Sequence, residues 1–190
     1  MAIKTMSSSS GGNWSEGWKT VTFKNSKYGT WNETRYIDIW FDEYPDTLNM
    51  RVYEAHAKDS GEEFAIAKLF RLANAGIIGE VQDSKGKKSI QYDDDAKNLD
   101  GKQAEVFFYK NEEGFYRVLN RIAPVVQEGE VLSYNDKDVN YWKTQAEKYY
   151  NDYKKPSSDD GILEMSVDEI KNQIESSSSN KDEEDDVPWK

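Results

Sequence analysis

The sequence predicts a mainly β domain with one internal helix, a second amphipathic helix behind it and a separate acidic end. Three observations carry this reading. Apolar residues alternate with period two in several short runs bounded by turn residues. One stretch between those runs switches to helical spacing. The charge is uneven: of a net −11, residues 1–125 hold 17 Lys+Arg against 19 Asp+Glu, while residues 126–190 hold 8 against 17. A near-neutral body and an acidic end are expected to do different jobs.

Residues 1–13 are rich in Ser and Gly and read as a flexible arm. A first strand is expected at 18–24, with Val21 and Phe23 on one face and Trp18, Thr20 and Thr22 on the other. A second follows at 34–41, where Ile37, Ile39 and Phe41 face inward and Tyr36, Asp38 and Trp40 outward. The proline and acids of 42–46 make a turn into a third strand at 48–54, with Leu48, Met50 and Val52 inward and Asn49, Arg51 and Tyr53 outward. A helix is predicted over 61–75. Ser60 and Glu63 have capping-box spacing, Gly76 follows the last apolar position, and Phe64, Ile66, Ala67, Leu69, Phe70 and Ala73 give a buried face.

The polar stretch 83–102 is expected to be mobile, with a short hairpin around Lys85-Gly86-Lys87. Strands at 103–110 and 115–123 flank the turn Asn111 to Gly114, with Ala104, Val106 and Phe108 inward and Glu105, Phe107 and Tyr109 outward. Pro124 closes this block. A second helix is predicted over 137–153, its stripe formed by Val139, Trp142, Ala146, Tyr149 and Tyr153. That stripe can dock inside one chain or join two chains as a homodimer. A short helix at 166–175 has Ser166 and Glu169 at capping-box spacing, and the Ser-rich and acidic remainder lacks the apolar residues to fold alone.

Three strands, a helix and two strands within about 110 residues is the order of a five-stranded Greek-key barrel of the OB type, with the helix between strands 3 and 4. The expected organisation is an arm at 1–13, a barrel at 14–125, a helical extension at 126–155 and a flexible acidic tail at 156–190. Such barrels bind nucleic-acid strands or oligosaccharides, so the outward positions matter most. They hold Trp18, Tyr36, Trp40, Arg51, Tyr53, Phe107, Tyr109, Arg117 and Arg121. Trp14, Tyr28 and Trp31 near the first hairpin, and Lys102, Phe115 and Tyr116 near the last, extend the set. Rings interleaved with cations are what sequence-independent binding of single strands requires. The competing reading of each ring is packing, since aromatics favour strands and some can lie beneath the 137–153 helix.

Composition removes other classes. The chain has no cysteine and one histidine, His56, which excludes disulfides, thiolate zinc sites and cysteine nucleophiles and leaves little for histidine chemistry. No cofactor or catalytic set is expected. Asp93-Asp94-Asp95 and the acids Asp42, Glu43 and Asp46 are the only start for a magnesium nuclease, and consecutive acids cannot converge on one ion. The start of the chain lacks the apolar core of a secretory signal, and no apolar run reaches bilayer length, so a cytoplasmic protein is expected. A carbohydrate module fits poorly with that expectation. An adaptor using the aromatic β face and the 137–153 helix remains the alternative to nucleic-acid binding.

The last residues, Asp185, Asp186, Val187, Pro188 and Trp189 behind a Ser-rich linker, resemble the C-terminal tip of bacterial single-stranded-DNA-binding proteins. Here Trp replaces the usual Phe, and Lys190 displaces the terminal carboxylate by one residue. The body is similar to phage single-stranded-DNA-binding proteins in Leu99-Asp100-Gly101-Lys102, Gly114-Phe115-Tyr116-Arg117 and Asn120-Arg121. The resemblance implies an OB fold that coats and protects single-stranded DNA in replication, recombination and repair. It also implies a tail that recruits a polymerase, helicase or nuclease, in the host cytoplasm if the chain is phage-encoded.

Overall fold

The computed structural model describes residues 14–84 and 86–155. The arm expected at 1–13, the helix expected at 166–175 and the acidic tail with its tip lie outside them. The described chain is mainly β: a curled five-stranded antiparallel sheet, shaped as a half-barrel, with two helices and a separate two-stranded hairpin.

Strand β1 runs Gly17–Trp31, twice the predicted length, because it serves two neighbours in turn. Its first half pairs with β6 (Gln103–Lys110), with Trp18 opposite Phe107 and Val21 opposite Ala104. Its second half pairs with β2 (Thr34–Phe41), from Phe23 opposite Phe41 to Trp31 opposite Thr34. The bend between them is a bulge between Lys24 and Lys27, where Asn25 takes φ +48°. Asn32 and Glu33 close the β1–β2 hairpin with φ of +47° and +64°, the left-handed pair that matches strand twist. Strand β3 (Asn49–Tyr53) pairs with β2, and β7 (Tyr116–Val118) with β6, giving the order β3-β2-β1-β6-β7. The outer strands β3 and β7 approach within 8 Å between Cα atoms but share no ladder.

Helix α1 (Ala65–Leu72) is shorter than the predicted 61–75. Glu63, rather than a Ser60 box, supplies its start: the carboxylate accepts from Ile66 N–H at 2.7 Å and Ala67 N–H at 2.9 Å. Phe64, expected in the buried face, is therefore the helix boundary and is 47% exposed. Ile66, Leu69 and Phe70 pack against Val21, Phe23, Ile37, Ile39, Phe41, Met50, Val106 and Phe108 to make the core. The inward faces predicted for the strands all lie there.

After α1 one predicted element is longer than expected and one is shorter. The hairpin expected around Lys85-Gly86-Lys87 is present and longer than expected, formed by β4 (Ile77–Gln82) and β5 (Lys88–Tyr92), and a 3₁₀ turn follows at Ala96–Leu99. Its base is fixed by Tyr92 against Phe70, rings 5.5 Å apart, and by Leu99, which is fully buried. The strand expected at 115–123 ends at Val118, because Asn120 to Ile122 loop out before Ala123 rejoins Glu105 in a two-way backbone bridge. Helix α2 runs Asp136–Tyr153 behind a capping box of Asn135 and Asp138. No helix among the described residues is long and apolar enough to cross a membrane.

Burial pushes the hydroxyls of Tyr28, Tyr44, Tyr92, Tyr109, Tyr134 and Tyr150 above the ordinary tyrosine value. The unfolded chain then loses these protons first, near about pH 10. Stability should hold from neutrality to that pH and fall above it, as ionisation favours the unfolded state. Urea midpoints along a pH series check this, and a midpoint unchanged through about pH 11 contradicts it.

Candidate nucleic-acid interface

The outward face of β1, β2 and β3 is open. Antiparallel pairing puts directly opposed residues on one side, so Trp31, Gly29, Lys27 and Lys24 of β1 share it with Tyr36, Asp38 and Trp40 of β2 and Asn49, Arg51 and Tyr53 of β3. Trp31, at the hairpin tip, is 59% exposed and Tyr53 is 36% exposed. Trp40 is half-buried, its indole N–H donating to the Asp46 carbonyl at 3.0 Å, and Lys24 Nζ lies 3.2 Å from the Asp46 carboxylate. Lys27 is exposed with no ion-pair partner among the described residues.

The middle of this face is layered. A Cβ on Gly29 would fall 2.4 Å from the Tyr36 ring end, so that ring rests on bare backbone. Arg51 Cζ sits 3.9 Å over the ring centroid, and Tyr53 meets the same ring edge-on at 5.6 Å. Asp38, largely buried, holds Arg51 with a fork of two 2.7 Å bonds, from Nε to Oδ1 and from a terminal nitrogen to Oδ2, while Asn49 donates to Oδ1 at 3.0 Å. Those contacts, Asp38 first and the Tyr53 hydroxyl second, raise the Arg51 pKa above the ordinary arginine value.

A second group of predicted residues is covered. Helix α2 lies over the outward face of β1 and β6 where Trp18, Phe107 and Tyr109 stand. Tyr150 packs on Phe107 and Tyr109 at 5.1 and 5.2 Å, and Trp18 donates its indole N–H to Glu147 at 2.6 Å. Lys143 pairs with Glu105 at 3.0 Å and lies 5.4 Å over the Trp18 ring. Arg121 stacks on Tyr149 at 3.9 Å. The stripe thus docks within one chain, with Val139 and Ala146 buried and Tyr150 at its far end; Tyr153, predicted there, is 73% exposed.

The remaining predicted residues are apart from both groups. Phe115 is 59% exposed at the β6–β7 turn, with Arg117 6.0 Å from its ring. Lys102 is half-buried beside the β1 bend, where its carbonyl accepts from Phe23 N–H at 2.8 Å. Tyr28 points away from the open face, beneath Arg35 at 3.7 Å, and Arg35 pairs with Asp94 at 3.0 Å. Trp14 packs against Tyr44 and Tyr116, whose hydroxyl donates to its carbonyl. The run Asp93 to Asp95 does not converge: Asp93 caps Asp95 N–H, Asp94 holds Arg35, and Asp95 caps Lys97 N–H. His56 lies at a strand bridge, its ring 3.5 Å from Glu54.

Lys24 and Lys27 are the members of the open face that the sequence reading missed. Strict alternation from Val21 and Phe23 sends Lys27 inward, and the extra residue at the Asn25 bulge returns it outward. The signal was the Asn-Ser pair inside an otherwise regular strand. Comparison of the chain with family models, with curated proteins and with solved structures returned no match.

Proposed function

We propose that this chain is a non-enzymatic single-stranded-DNA-binding protein of OB type, which coats and protects single strands during replication, recombination and repair. The observation that carries the reading is the open face of β1, β2 and β3, where Trp31, Trp40 and Tyr53 interleave with Lys24, Lys27 and Arg51. Flat groups take up bases and the lysines follow phosphates, with each stacked base worth roughly 1–3 kcal/mol. The sheet order β3-β2-β1-β6-β7 with a bent, shared first strand supports the OB assignment. The face over strands 2 and 3 is also where OB folds bind strands. The rings beneath α2 join the site only if that helix moves.

The tail completes the proposal. Its acids carry charge of the same sign as phosphate and so oppose DNA binding at low salt, and the Asp185 to Trp189 tip recruits a polymerase, helicase or nuclease. Deleting residues 176–190 should tighten binding at low salt, with the difference fading as salt screens the acids. Unchanged or weaker binding contradicts this role. The function itself is tested by tryptophan fluorescence during titration with an oligo-dT of about 30 nucleotides, comparable with the longer OB-fold footprints. Quenching that weakens with salt and is absent with duplex is expected. No response at low salt, with or without the tail, favours the adaptor reading.

A further inference from the structure

We propose that the guanidinium plane of Arg51 is itself the platform on which a base of the single strand stacks, with Tyr36 as its seat and Asp38 as the residue that positions it. The inference rests on the reading of this face as a single-strand site and goes further, because it assigns different tasks to residues that composition makes equivalent.

Tyr36 is placed to support rather than to receive. Arg51 Cζ lies 3.9 Å over its ring, and the ring end rests on Gly29, where even a methyl group would come within 2.4 Å. A base approaching from solvent therefore meets the guanidinium before the ring. The Arg51 side chain is 40% exposed, whereas Asp38 is 12% exposed.

The hydrogen bonds decide what Arg51 can recognise. A guanidinium binds anions through N–H groups in its plane and stacks through the faces of that plane. Here Nε and one terminal nitrogen are already spent on Asp38 at 2.7 Å each, and that carboxylate balances the charge. The side-on edge, which would fork onto a phosphate, is taken, and the Tyr53 hydroxyl bonds the guanidinium as well, which leaves fewer in-plane donors for an anion. The outer flat face is left, and bases stack on arginine planes as they do on aromatic rings. Lys27, two strands away on β1 and without an ion-pair partner among the described residues, remains to follow the phosphates.

A second tyrosine, arginine and aspartate set gives a control within the same molecule. Arg35 lies 3.7 Å over Tyr28 and pairs with Asp94 at 3.0 Å. Strand alternation puts Tyr28 and Arg35 on the side opposite Tyr36 and Arg51, where they tie the 93–95 segment to the hairpin.

The test compares Arg51→Lys, Gly29→Ala and Arg35→Lys on two probes, an oligo-dT and an abasic strand of the same length. Arg51→Lys keeps the charge and loses the plane, so binding to oligo-dT should weaken about tenfold while binding to the abasic strand is unchanged. Gly29→Ala changes no charge but lifts the Tyr36 ring, and should reproduce that pattern. Arg35→Lys should bind both probes as the native chain does. Equal losses on both probes would make Arg51 a phosphate contact and overturn the proposal, as would wild-type affinity of Arg51→Lys for oligo-dT. A loss in Arg35→Lys equal to that in Arg51→Lys would also overturn it, by tracing the effect to the hairpin as a whole. Failure of the native chain to bind oligo-dT at all would instead remove the single-strand reading of the face.

Discussion

Replacing Phe23 by alanine should lower the unfolding free energy by about 3–5 kcal/mol, the range for emptying a large aromatic site in a closed core. Phe23 is fully buried and stands where β1 passes from one partner strand to the other. Its N–H donates to Lys102 O and its carbonyl accepts from Gly101 N–H, both at 2.8 Å, while its ring lies 6.0 Å from Phe41. The backbone is thus held from the β6 side and the side chain from the β2 side, which leaves the site little freedom to collapse. Because domains of this size are stable by only about 5–15 kcal/mol, such a loss takes a large share of the total. Phe115→Ala, at an exposed ring, should change stability by no more than about 0.5 kcal/mol. Urea denaturation of the two variants makes the comparison, and a Phe23→Ala loss below about 1 kcal/mol would contradict the core as described.

The largest expected effect on binding comes from removing the two indoles of the open face together. Each stacked base contributes roughly 1–3 kcal/mol, so Trp31→Ala with Trp40→Ala should weaken oligo-dT binding at least about thirtyfold. The two positions differ in kind. Trp31 is exposed at a hairpin tip and makes no hydrogen bond through its indole among the described residues, so its removal alone should leave stability unaltered. Trp40 also holds the turn after β2 through Asp46 and should cost some stability as well as affinity. Anisotropy of a labelled oligonucleotide measures affinity, and thermal melting separates the two effects. Affinity within twofold of the native chain would remove the stacking role from this face, since twofold lies well below one stacked base.

Much of the fold was legible in the sequence because one face of each main strand is buried. Ile37, Ile39 and Phe41, then Leu48, Met50 and Val52, alternate with polar or aromatic residues, and a half-buried strand forces that period. The turn of the β4–β5 hairpin was legible but the extent of its strands was not, because Ile78 and Val81 stay exposed and Gly79 interrupts the pattern. The site was legible by composition and not by position. Tyr36, Arg51 and Tyr53 could be placed on one face by counting, but nothing local says that α2 docks over Trp18, Phe107 and Tyr109. That choice is made by Val139, Ala146 and Tyr150, and a shift of three residues along the same stripe would have covered different rings. The stacking of Arg51 on Tyr36 was hidden in the same way, because it depends on a glycine one strand away.

The most direct measurement is photo-crosslinking of the full chain to oligo-dT at low salt, with the attached peptides identified by mass. Crosslinks should concentrate on Trp31, Trp40 and Tyr53, fall as salt rises and disappear with duplex. Crosslinks confined to Trp18, Phe107 and Tyr109 would put the strand where α2 now lies and contradict the open face of β1, β2 and β3 as the binding surface.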